Sequence, residues 1–206
     1  MHEMFRDVAV IPVLTIARAA DAVPLAEALL RGGLRVIEVT LRTPAAPEAI
    51  AEIRRRVPDV VVGAGTLLKG ADIGRAVAAG ARFLVSPGLT PELAAAGLAS
   101  ERPYLPGVVT PSEVMAARDL GLSLLKFFPA AGAGGVDTLA AYAPVFPGVA
   151  FCATGGVDRA NAGAYLALAN VAMVGGDWMA PADAVAAGDW RRIEALAREA
   201  AALRRK

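Results

Sequence analysis

The sequence contains one cysteine and one histidine, and this scarcity removes several kinds of chemistry at once. Cys152 has no second cysteine with which to form an internal disulfide. A zinc site usually takes several His or Cys ligands at defined spacings, whereas His2 stands alone at the start of the chain. We therefore predict no metal site and no cofactor. Any catalysis must come from Lys, Arg, Asp, Glu, Thr, Ser or Tyr.

An excess of one charge and long apolar runs are also missing. The 21 basic and 20 acidic residues nearly cancel, so no broad basic face is available for a nucleic-acid backbone. Gly, Pro or charge interrupts every apolar stretch before it reaches the ~20 residues that cross a bilayer. Residues 1–6 lack the apolar core of a secretory signal. We expect a small-molecule partner, no nucleic-acid or membrane partner, and a cytoplasmic location.

The length and the apolar content define one unit of structure. A chain of 206 residues that is 56% hydrophobic is long enough for one substantial core and short for two. We expect one domain over residues 1–206.

Short apolar, β-branched runs alternate along the chain with alanine-rich segments of helical spacing. The predicted strands are Val8–Leu14, Arg35–Leu41, Val60–Ala64, Arg82–Val85, Tyr104–Val108, Leu122–Phe127, Val149–Ala153 and Val171–Val174. The predicted helices include Ala19–Arg31, Ala45–Arg56, Ala71–Ala79, Pro91–Ala99, Pro111–Leu120 and Asp137–Ala143.

This alternation favours a parallel sheet of eight strands, and closing the sheet into a barrel removes both of its edges. The predicted fold is a single-domain α/β structure, a (β/α)8 TIM barrel, with a doubly wound open sheet as the alternative. Thr-Pro pairs at Thr43, Thr90 and Thr110 predict helix starts, because threonine caps free N–H groups and proline suits the first turn. Thr110 and Glu113 have the spacing of a capping box.

Lysine is rare, and one of the three lysines lies in an apolar strand. Lys126 lies within the segment Leu-Ser-Leu-Leu-Lys-Phe-Phe-Pro, whereas Lys69 and Lys206 have polar neighbours. Loss of hydration favours the neutral amine that a nucleophile requires, so Lys126 is a candidate for Schiff-base chemistry. The alternative is a lysine that extends from the strand end to solvent or pairs with a buried acid.

The second predicted strand contributes polar side chains that are expected to lie near Lys126. Alternation in Arg35-Val-Ile-Glu-Val-Thr-Leu-Arg puts Glu38, Thr40 and Arg42 on one face and aliphatic side chains on the other. In a barrel the aliphatic face contacts the helices, so these polar groups are expected in the lumen or at its mouth with Lys126. An ion pair that only satisfies buried charge is the alternative.

Glycines mark a third group of candidates. Gly63-x-Gly65, Gly155-Gly156 and Gly175-Gly176 all follow predicted strands, where barrel active sites gather. Such glycines let backbone N–H groups approach an anion, and they also permit tight turns. Cys152 is interpreted as a small apolar strand residue and not as a nucleophile.

These stretches together resemble the bifunctional 2-keto-3-deoxy-6-phosphogluconate (KDPG) aldolase / 4-hydroxy-2-oxoglutarate (KHG) aldolase family over nearly the whole chain. Seven ordered blocks are far more specific than any one motif. They are Ile11-Pro-Val-Leu, Arg35-Val-Ile-Glu-Val-Thr-Leu-Arg-Thr43, Val62-Gly-Ala-Gly-Thr66, Val85-Ser-Pro-Gly-Leu89, Leu105-Pro-Gly107, Leu125-Lys-Phe-Phe-Pro-Ala130 and Thr154-Gly-Gly156.

The resemblance implies a metal-independent aldolase that cleaves a 4-hydroxy-2-oxo acid to pyruvate and an aldehyde. It assigns Lys126 to the Schiff base and Glu38 to proton transfer. It further assigns Arg42 and Thr66 to the pyruvate carboxylate and Phe128 to the methyl group. Thr154 is expected to orient the aldehyde, and a homotrimer is implied.

One departure concerns the expected phosphate site, which would use Gly155, Gly156, Gly175, Gly176 and the residue after them. Many family members read Gly-Gly-Ser-Trp where this chain has Asp177 before the tryptophan. A carboxylate there disfavours a phosphorylated aldehyde unless Asp177 caps the following helix.

Two further interpretations remain open at the level of the sequence. One is another barrel enzyme, such as a phosphate-binding isomerase or a metal-dependent keto-acid lyase. The other is a catalytically silent barrel scaffold in which Lys126 does not react with pyruvate.

Overall fold

The computed structural model describes residues 3–203, and its centre is one parallel sheet. His2 and Lys206 lie outside the described residues. The strands are β1 (Val10–Leu14), β2 (Val36–Thr40), β3 (Val61–Gly65), β4 (Leu84–Val85), β5 (Tyr104–Leu105), β6 (Gly107–Val108), β7 (Leu124–Phe127), β8 (Ala150–Thr154) and β9 (Val171–Gly176).

The sheet closes into a barrel at Pro106, which joins its two outermost strands. The strand order is β5-β4-β3-β2-β1-β9-β8-β7-β6, so the two outermost strands are β5 and β6. Only Pro106 separates them in the chain, and together they form the predicted fifth strand, Tyr104–Val108. Proline has no N–H to donate, but the Pro106 carbonyl accepts from the Lys126 N–H at 2.9 Å. The predicted α/β barrel is therefore confirmed, with its fifth strand divided in two.

Helices follow the strands and cover the outer face of the barrel. They are α1 (Ala22–Arg31), α2 (Ala46–Arg56), α3 (Gly70–Ala78), α4 (Pro91–Ala99), α5 (Pro111–Asp119), α6 (Gly135–Val145), α7 (Ala162–Leu166), α8 (Ala182–Ala187) and α9 (Trp190–Ala201). Short 3₁₀ turns lie at Glu3–Phe5, Ala19–Asp21 and Ala131–Ala133. The predicted start of the first helix at Ala19 is therefore a 3₁₀ turn, and the α-helix begins three residues later.

The Thr-Pro pairs begin helices at two of three sites. The Thr90 hydroxyl accepts from the Leu93 N–H at 3.2 Å, and Thr110 forms the expected reciprocal box with Glu113. The prediction that Thr43 caps the start of a helix is wrong. The Thr43 hydroxyl instead donates to the Ile16 carbonyl, and α2 begins at Ala46 with no side-chain cap.

Two apolar clusters occupy the two faces of the sheet. The larger cluster lies between the strands and the helices and includes Ile37 and Val39. The smaller cluster fills the amino end of the barrel interior, where Phe5 packs edge-to-face on Phe83 with ring centroids 5.3 Å apart. Because apolar side chains close this end, the polar groups of the lumen lie toward the carboxyl ends of the strands. No helix within residues 3–203 has the length and hydropathy of a membrane span.

Candidate active site

A lysine and a glutamate meet inside the barrel from opposite sides of the lumen. Lys126 projects from β7 and Glu38 from β2, and the Lys126 Nζ lies 3.4 Å from the Glu38 Oε1. The two side chains are only 6% and 5% exposed. The Nζ also lies 5.3 Å from the centroid of the Phe128 ring, two residues further along the same face of the chain. The structure thus places an amine, a carboxylate and an aromatic face around one point.

The alternation of β2 explains how Glu38 reaches this point. Val36 packs in the interior cluster, whereas Ile37 and Val39 face the helices. Glu38 and Thr40 therefore share the face of Val36, which is the lumen. The aliphatic half of β2 anchors the strand to the helices and fixes its polar half inside.

Gly65 provides the space that the Glu38 carboxylate occupies. A Cβ at position 65 would overlap that carboxylate, and Gly65 is the direct partner of Thr40 in the ladder between β2 and β3. Gly63 likewise leaves space for the Phe83 ring. Both glycines lie within β3, where they admit neighbouring side chains instead of forming a turn.

Arg42 and Thr66 lie together at the rim above this pair. The Arg42 Nε donates to the Thr66 Oγ1 at 3.1 Å. Thr66 has a φ of 57°, a left-handed conformation that a β-branched residue rarely adopts and that costs on the order of 1–3 kcal/mol. The Leu67 N–H donates to the Val85 carbonyl at 3.2 Å and holds the chain in this path. A threonine kept in a strained conformation at a site of converging polar groups is typical of a functional position.

Thr154 and the two glycines after it form another part of the rim. Thr154 is 5% exposed and ends β8. Gly155 and Gly156 follow with φ values of 94° and 71°, which side chains rarely tolerate. The loop is fixed by Asn161, whose side-chain N–H donates to the Gly156 carbonyl at 2.9 Å. The sequence predictions did not include Asn161, although an Asp-x-x-Asn pattern after paired glycines indicates a turn of this kind.

Gly175 and Gly176 differ from expectation because they complete β9 and do not follow it. Both are buried, and they pair with Ile11 and Pro12 of β1. A Cβ on Gly175 would lie 2.5 Å from the Thr154 Oγ1 and 3.3 Å from a methyl carbon of Val13. A Cβ on Gly176 would overlap the Trp178 ring. The absence of a side chain at Gly175 lets Thr154 and Val13 pack closely against β9, and its absence at Gly176 does the same for the Trp178 ring.

Asp177 is exposed directly after β9, and its carboxylate has no hydrogen bond or ion pair within residues 3–203. Helix α8 begins only at Ala182, with Pro181 at its N-cap, so Asp177 does not cap it. The carboxylate instead lines a cavity of about 520 Å³ between the loops after β1 and β9.

The same cavity is lined by Thr15, Arg18 and Asp21, which the sequence predictions did not include. Arg18 donates to both carboxylate oxygens of Asp21, at 2.7 and 2.8 Å. The available indication was their place after the first strand, on the edge where barrel sites form.

Residues 3–203 contain no group of three or more His, Cys, Asp or Glu side chains placed to hold a metal ion. A buried amine and carboxylate at the carboxyl ends of a parallel barrel, beneath a polar rim, define a barrel enzyme with lysine-based chemistry. The family model described as KDPG and KHG aldolase matches residues 1–196, and the chain belongs to that family.

Individual relatives agree with this assignment. The KHG/KDPG aldolase of Escherichia coli K12 is 49% identical over 191 residues, covering 93% of this chain and 90% of that protein. The 2-dehydro-3-deoxy-phosphogluconate aldolase of Dickeya dadantii is 50% identical over 193 residues, covering 94% and 91%.

Solved structures show the same fold. A KDPG aldolase from Legionella pneumophila, with pyruvate captured as a covalent carbinolamine, has a TM-score of 0.92 and 48% identity over 94% of each chain. The 2-keto-3-deoxy-6-phosphogluconate aldolase of Zymomonas mobilis ZM4, with 3-phosphoglycerate, has a TM-score of 0.91 and 48% identity. That match covers 98% of this chain and 94% of the other.

Cys152 lies in the lumen beside the site, and burial explains why it is not a nucleophile. Burial raises the pKa of the thiol to about 11, although a contact with Thr154 and the charge of Lys126 act in the other direction. The thiolate is the reactive form of cysteine. At pH 8 we therefore expect no reaction of the native protein with Ellman's reagent over minutes. One thiol per chain should react after denaturation, and rapid reaction in the native state would contradict the burial.

Proposed function

We propose that this protein is a class I pyruvate aldolase in which Lys126 forms the Schiff base. It would reversibly cleave 2-keto-3-deoxy-6-phosphogluconate, 4-hydroxy-2-oxoglutarate or both, to pyruvate and glyceraldehyde 3-phosphate or glyoxylate. The observation that carries the proposal is the buried contact of 3.4 Å between the Lys126 Nζ and the Glu38 Oε1. Membership of the aldolase family and the carbinolamine in the Legionella relative support it.

The first step joins the substrate to Lys126. Transfer of a proton from the ammonium to the Glu38 carboxylate neutralises both buried groups and leaves a nucleophilic amine. The Nζ lone pair attacks the C2 carbonyl, whose oxygen takes the proton held by Glu38, and Glu38 then removes a proton from the attacking nitrogen. The resulting carbinolamine then loses water, for which Glu38 supplies the proton, and a protonated imine forms.

The second step breaks the bond between C3 and C4. Glu38, now a carboxylate again, takes the proton from the C4 hydroxyl directly or through water. The bonding electrons move toward the iminium nitrogen, so an aldehyde departs and an enamine remains. Protonation of the enamine at C3 and hydrolysis of the imine then release pyruvate and regenerate the amine. One acid–base group serves every proton transfer, which explains why Glu38 must touch the nitrogen itself.

Arg42, Thr66 and Phe128 would recognise the pyruvate half. A guanidinium is a strong partner for a carboxylate. Thr66 accepts from Arg42 at 3.1 Å, so its own hydroxyl proton is free to donate to the same carboxylate. The Phe128 ring, 5.3 Å from the Lys126 Nζ, is placed to pack on the methyl group.

The opposite rim would receive the aldehyde. The Thr154 hydroxyl packs against Gly175, and we propose that it orients the aldehyde oxygen. Gly155, Gly156, Gly175 and Gly176 are the proposed phosphate-side backbone. Burial of the last two inside β9 leaves Gly155 and Gly156 as the more accessible pair.

We further propose a homotrimer in the cytoplasm. The trimer rests on the family resemblance, and the location rests on composition. Light scattering of the purified protein in solution measures its oligomeric state.

Our first prediction concerns covalent trapping. Pyruvate plus borohydride should label Lys126, because reduction fixes the imine as a stable amine. Lys126→Arg should abolish labelling, since a guanidinium stays protonated and forms no imine. Mass spectrometry of a proteolytic digest locates the adduct.

Lys69→Arg is the matched control, because Lys69 is exposed, and it should retain both labelling and activity. A chelator should leave activity intact. An adduct at Lys69 in the wild type, or full activity in Lys126→Arg, would show the mechanism to be wrong and favour another chemistry, whereas no adduct and no activity would favour a silent scaffold.

Our second prediction separates proton transfer from binding. Glu38→Gln should preserve the fold and lower kcat for aldol cleavage by about 10²-fold or more, because the amide transfers no protons. Gly65→Ala should also lower kcat, since its Cβ displaces the Glu38 carboxylate. Gly74→Ala, where a Cβ meets nothing within 4 Å, is the control and should retain wild-type kcat. Wild-type turnover in Glu38→Gln contradicts the assignment.

Our third prediction concerns Asp177 and phosphate. Like charges about 4 Å apart repel by roughly 4 kcal/mol at an effective dielectric of ~20, and solvent at the rim reduces this. A third of that value changes preference about tenfold. Asp177→Ser should therefore raise kcat/KM for 2-keto-3-deoxy-6-phosphogluconate about tenfold relative to its unphosphorylated analogue. An unchanged ratio would mean that Asp177 exerts no such repulsion.

A further inference from the structure

We propose that Tyr104, which lies outside the barrel, is a positioning residue for the pyruvate half of the site. It acts through the Ser86 hydroxyl on a bend of the chain at Pro87 and Gly88, the Pro87–Gly88 bend, which lies beside Lys126. The inference rests on the proposed aldolase function and adds a residue that touches neither the substrate nor the lysine.

Side chains of β4 and β5 alternate between the two faces of the sheet. Val85 and Leu105 belong to the apolar cluster inside the barrel. Leu84 and Tyr104 belong to the cluster between the strands and the helices. Because Ser86 lies two residues beyond Leu84, its side chain shares this outer face. The hydroxyl groups of Ser86 and Tyr104 therefore meet outside the lumen.

The direction of each hydrogen bond follows from the single proton of the Ser86 hydroxyl. The Ser86 Oγ donates this proton to the Gly88 carbonyl at 2.7 Å. The Tyr104 hydroxyl lies 2.7 Å from the same Oγ and must therefore donate to it. Burial raises the pKa of Tyr104, although the contact with Ser86 acts in the other direction, so the tyrosine remains a donor at neutral pH. Ser86 is 0% exposed and Tyr104 is 5% exposed, so water cannot replace either partner.

The Pro87–Gly88 bend depends on this one side chain. Within residues 3–203, no other hydrogen bond reaches the backbone of Pro87, Gly88 or Leu89. The Ser86 N–H donates to the Leu105 carbonyl at 3.3 Å, which is long for a backbone hydrogen bond. The position of the bend is therefore fixed by the Ser86 hydroxyl and, through it, by Tyr104.

The bend fills a space beside Lys126 that β6 leaves open. Gly107 is the direct partner of Lys126 in the ladder between β6 and β7, so a side chain at position 107 would enter the lumen next to the lysine. A Cβ there would overlap the Pro87 carbonyl and lie 2.7 Å from the Gly88 nitrogen. The backbone of the bend thus occupies the place that a side chain of β6 would take.

The bend completes the surroundings of the Lys126 amine. Glu38 faces the amine across the lumen, and the Phe128 ring lies 5.3 Å from it. Cys152 is the partner of Lys126 on β8, and the bend takes the corresponding place on the side of β6. A pyruvate fragment bonded to the Nζ is therefore confined on that side by the bend. The proposed aldehyde side lies between the loops after β1 and β9, across the barrel from the bend, so movement of the bend affects the pyruvate half alone.

The test measures both substrates of the addition reaction, with pyruvate and glyoxylate as the probes. Tyr104→Phe removes one oxygen atom and keeps the ring. The KM for pyruvate should rise about 3- to 10-fold in this variant, the effect of losing one neutral hydrogen bond, and the KM for glyoxylate should not change. The pyruvate concentration that gives half-maximal borohydride trapping at Lys126 should rise by the same factor, since trapping involves no aldehyde.

A second variant and a control test whether the two hydroxyl groups act together. Ser86→Ala should raise the pyruvate KM at least as much as Tyr104→Phe. Combining the two substitutions should add nothing to Ser86→Ala, because both break one chain of hydrogen bonds. Ser100→Ala is the matched control, since the Ser100 Oγ donates to the Gly97 carbonyl at 2.6 Å at the far end of α4, and it should keep both wild-type KM values.

The outcomes separate the two proposals. A rise confined to the pyruvate KM, absent from Ser100→Ala, supports the inference. An unchanged pyruvate KM in Tyr104→Phe overturns it even if the melting temperature falls, because the hydrogen bond would then serve stability alone. An equal rise of both KM values, or additive effects in the double variant, also overturns it and leaves the aldolase function standing. If Ser86→Ala does not fold, Tyr104→Phe decides by itself. Absence of a borohydride-trapped adduct in the wild type rejects the aldolase function.

Discussion

The contact between Lys126 and Glu38 is the constraint that the rest of the site depends on. Two ionisable groups that are 6% and 5% exposed can remain inside a barrel only if each compensates the other. The fold meets this condition because the two halves of the lumen carry different side chains. Apolar side chains fill the amino half of the lumen, and glycine at position 65 leaves room for the carboxylate. The pair is buried enough to exclude bulk water and close enough to exchange a proton.

Around this pair the rim is divided into two halves with different chemistry. Arg42 and Thr66 form a cationic, donor-rich half suited to a carboxylate. Thr15, Arg18, Asp21 and Asp177 line the other half, between the loops after β1 and β9. In the proposed function the first half receives the pyruvate carboxylate, and the second half lies on the side of the departing aldehyde. The proposed reaction cuts the chain between these halves, so each product is recognised by its own side of the rim.

Much of this arrangement could be predicted from the sequence because the signals were periodic or chemically unusual. Alternation in β2 predicted which side chains of that strand face the lumen. The apolar neighbours of Lys126 indicated that this lysine is a candidate for Schiff-base chemistry. The prediction failed at Thr43, because a Thr-Pro pair does not say whether the hydroxyl bonds its own helix or another loop. It also placed Gly175 and Gly176 after a strand that includes them, since glycine weakens every strand pattern. The sequence predictions did not include Thr15, because its contact with the Thr40 hydroxyl joins residues 25 positions apart in the chain.

The closed amino end of the barrel affects the order in which products can leave. Within residues 3–203, Phe5 and the apolar cluster close that end, so substrate, water and products are expected to pass through the carboxyl ends of the strands. In the proposed reaction the pyruvate fragment is bonded to Lys126 at the inner end of this passage, and the aldehyde lies between it and solvent. The aldehyde must therefore leave first, and only then does water reach the imine to free the second product. The shape of the barrel therefore sets the order in which the aldehyde and pyruvate leave, whatever their relative affinities.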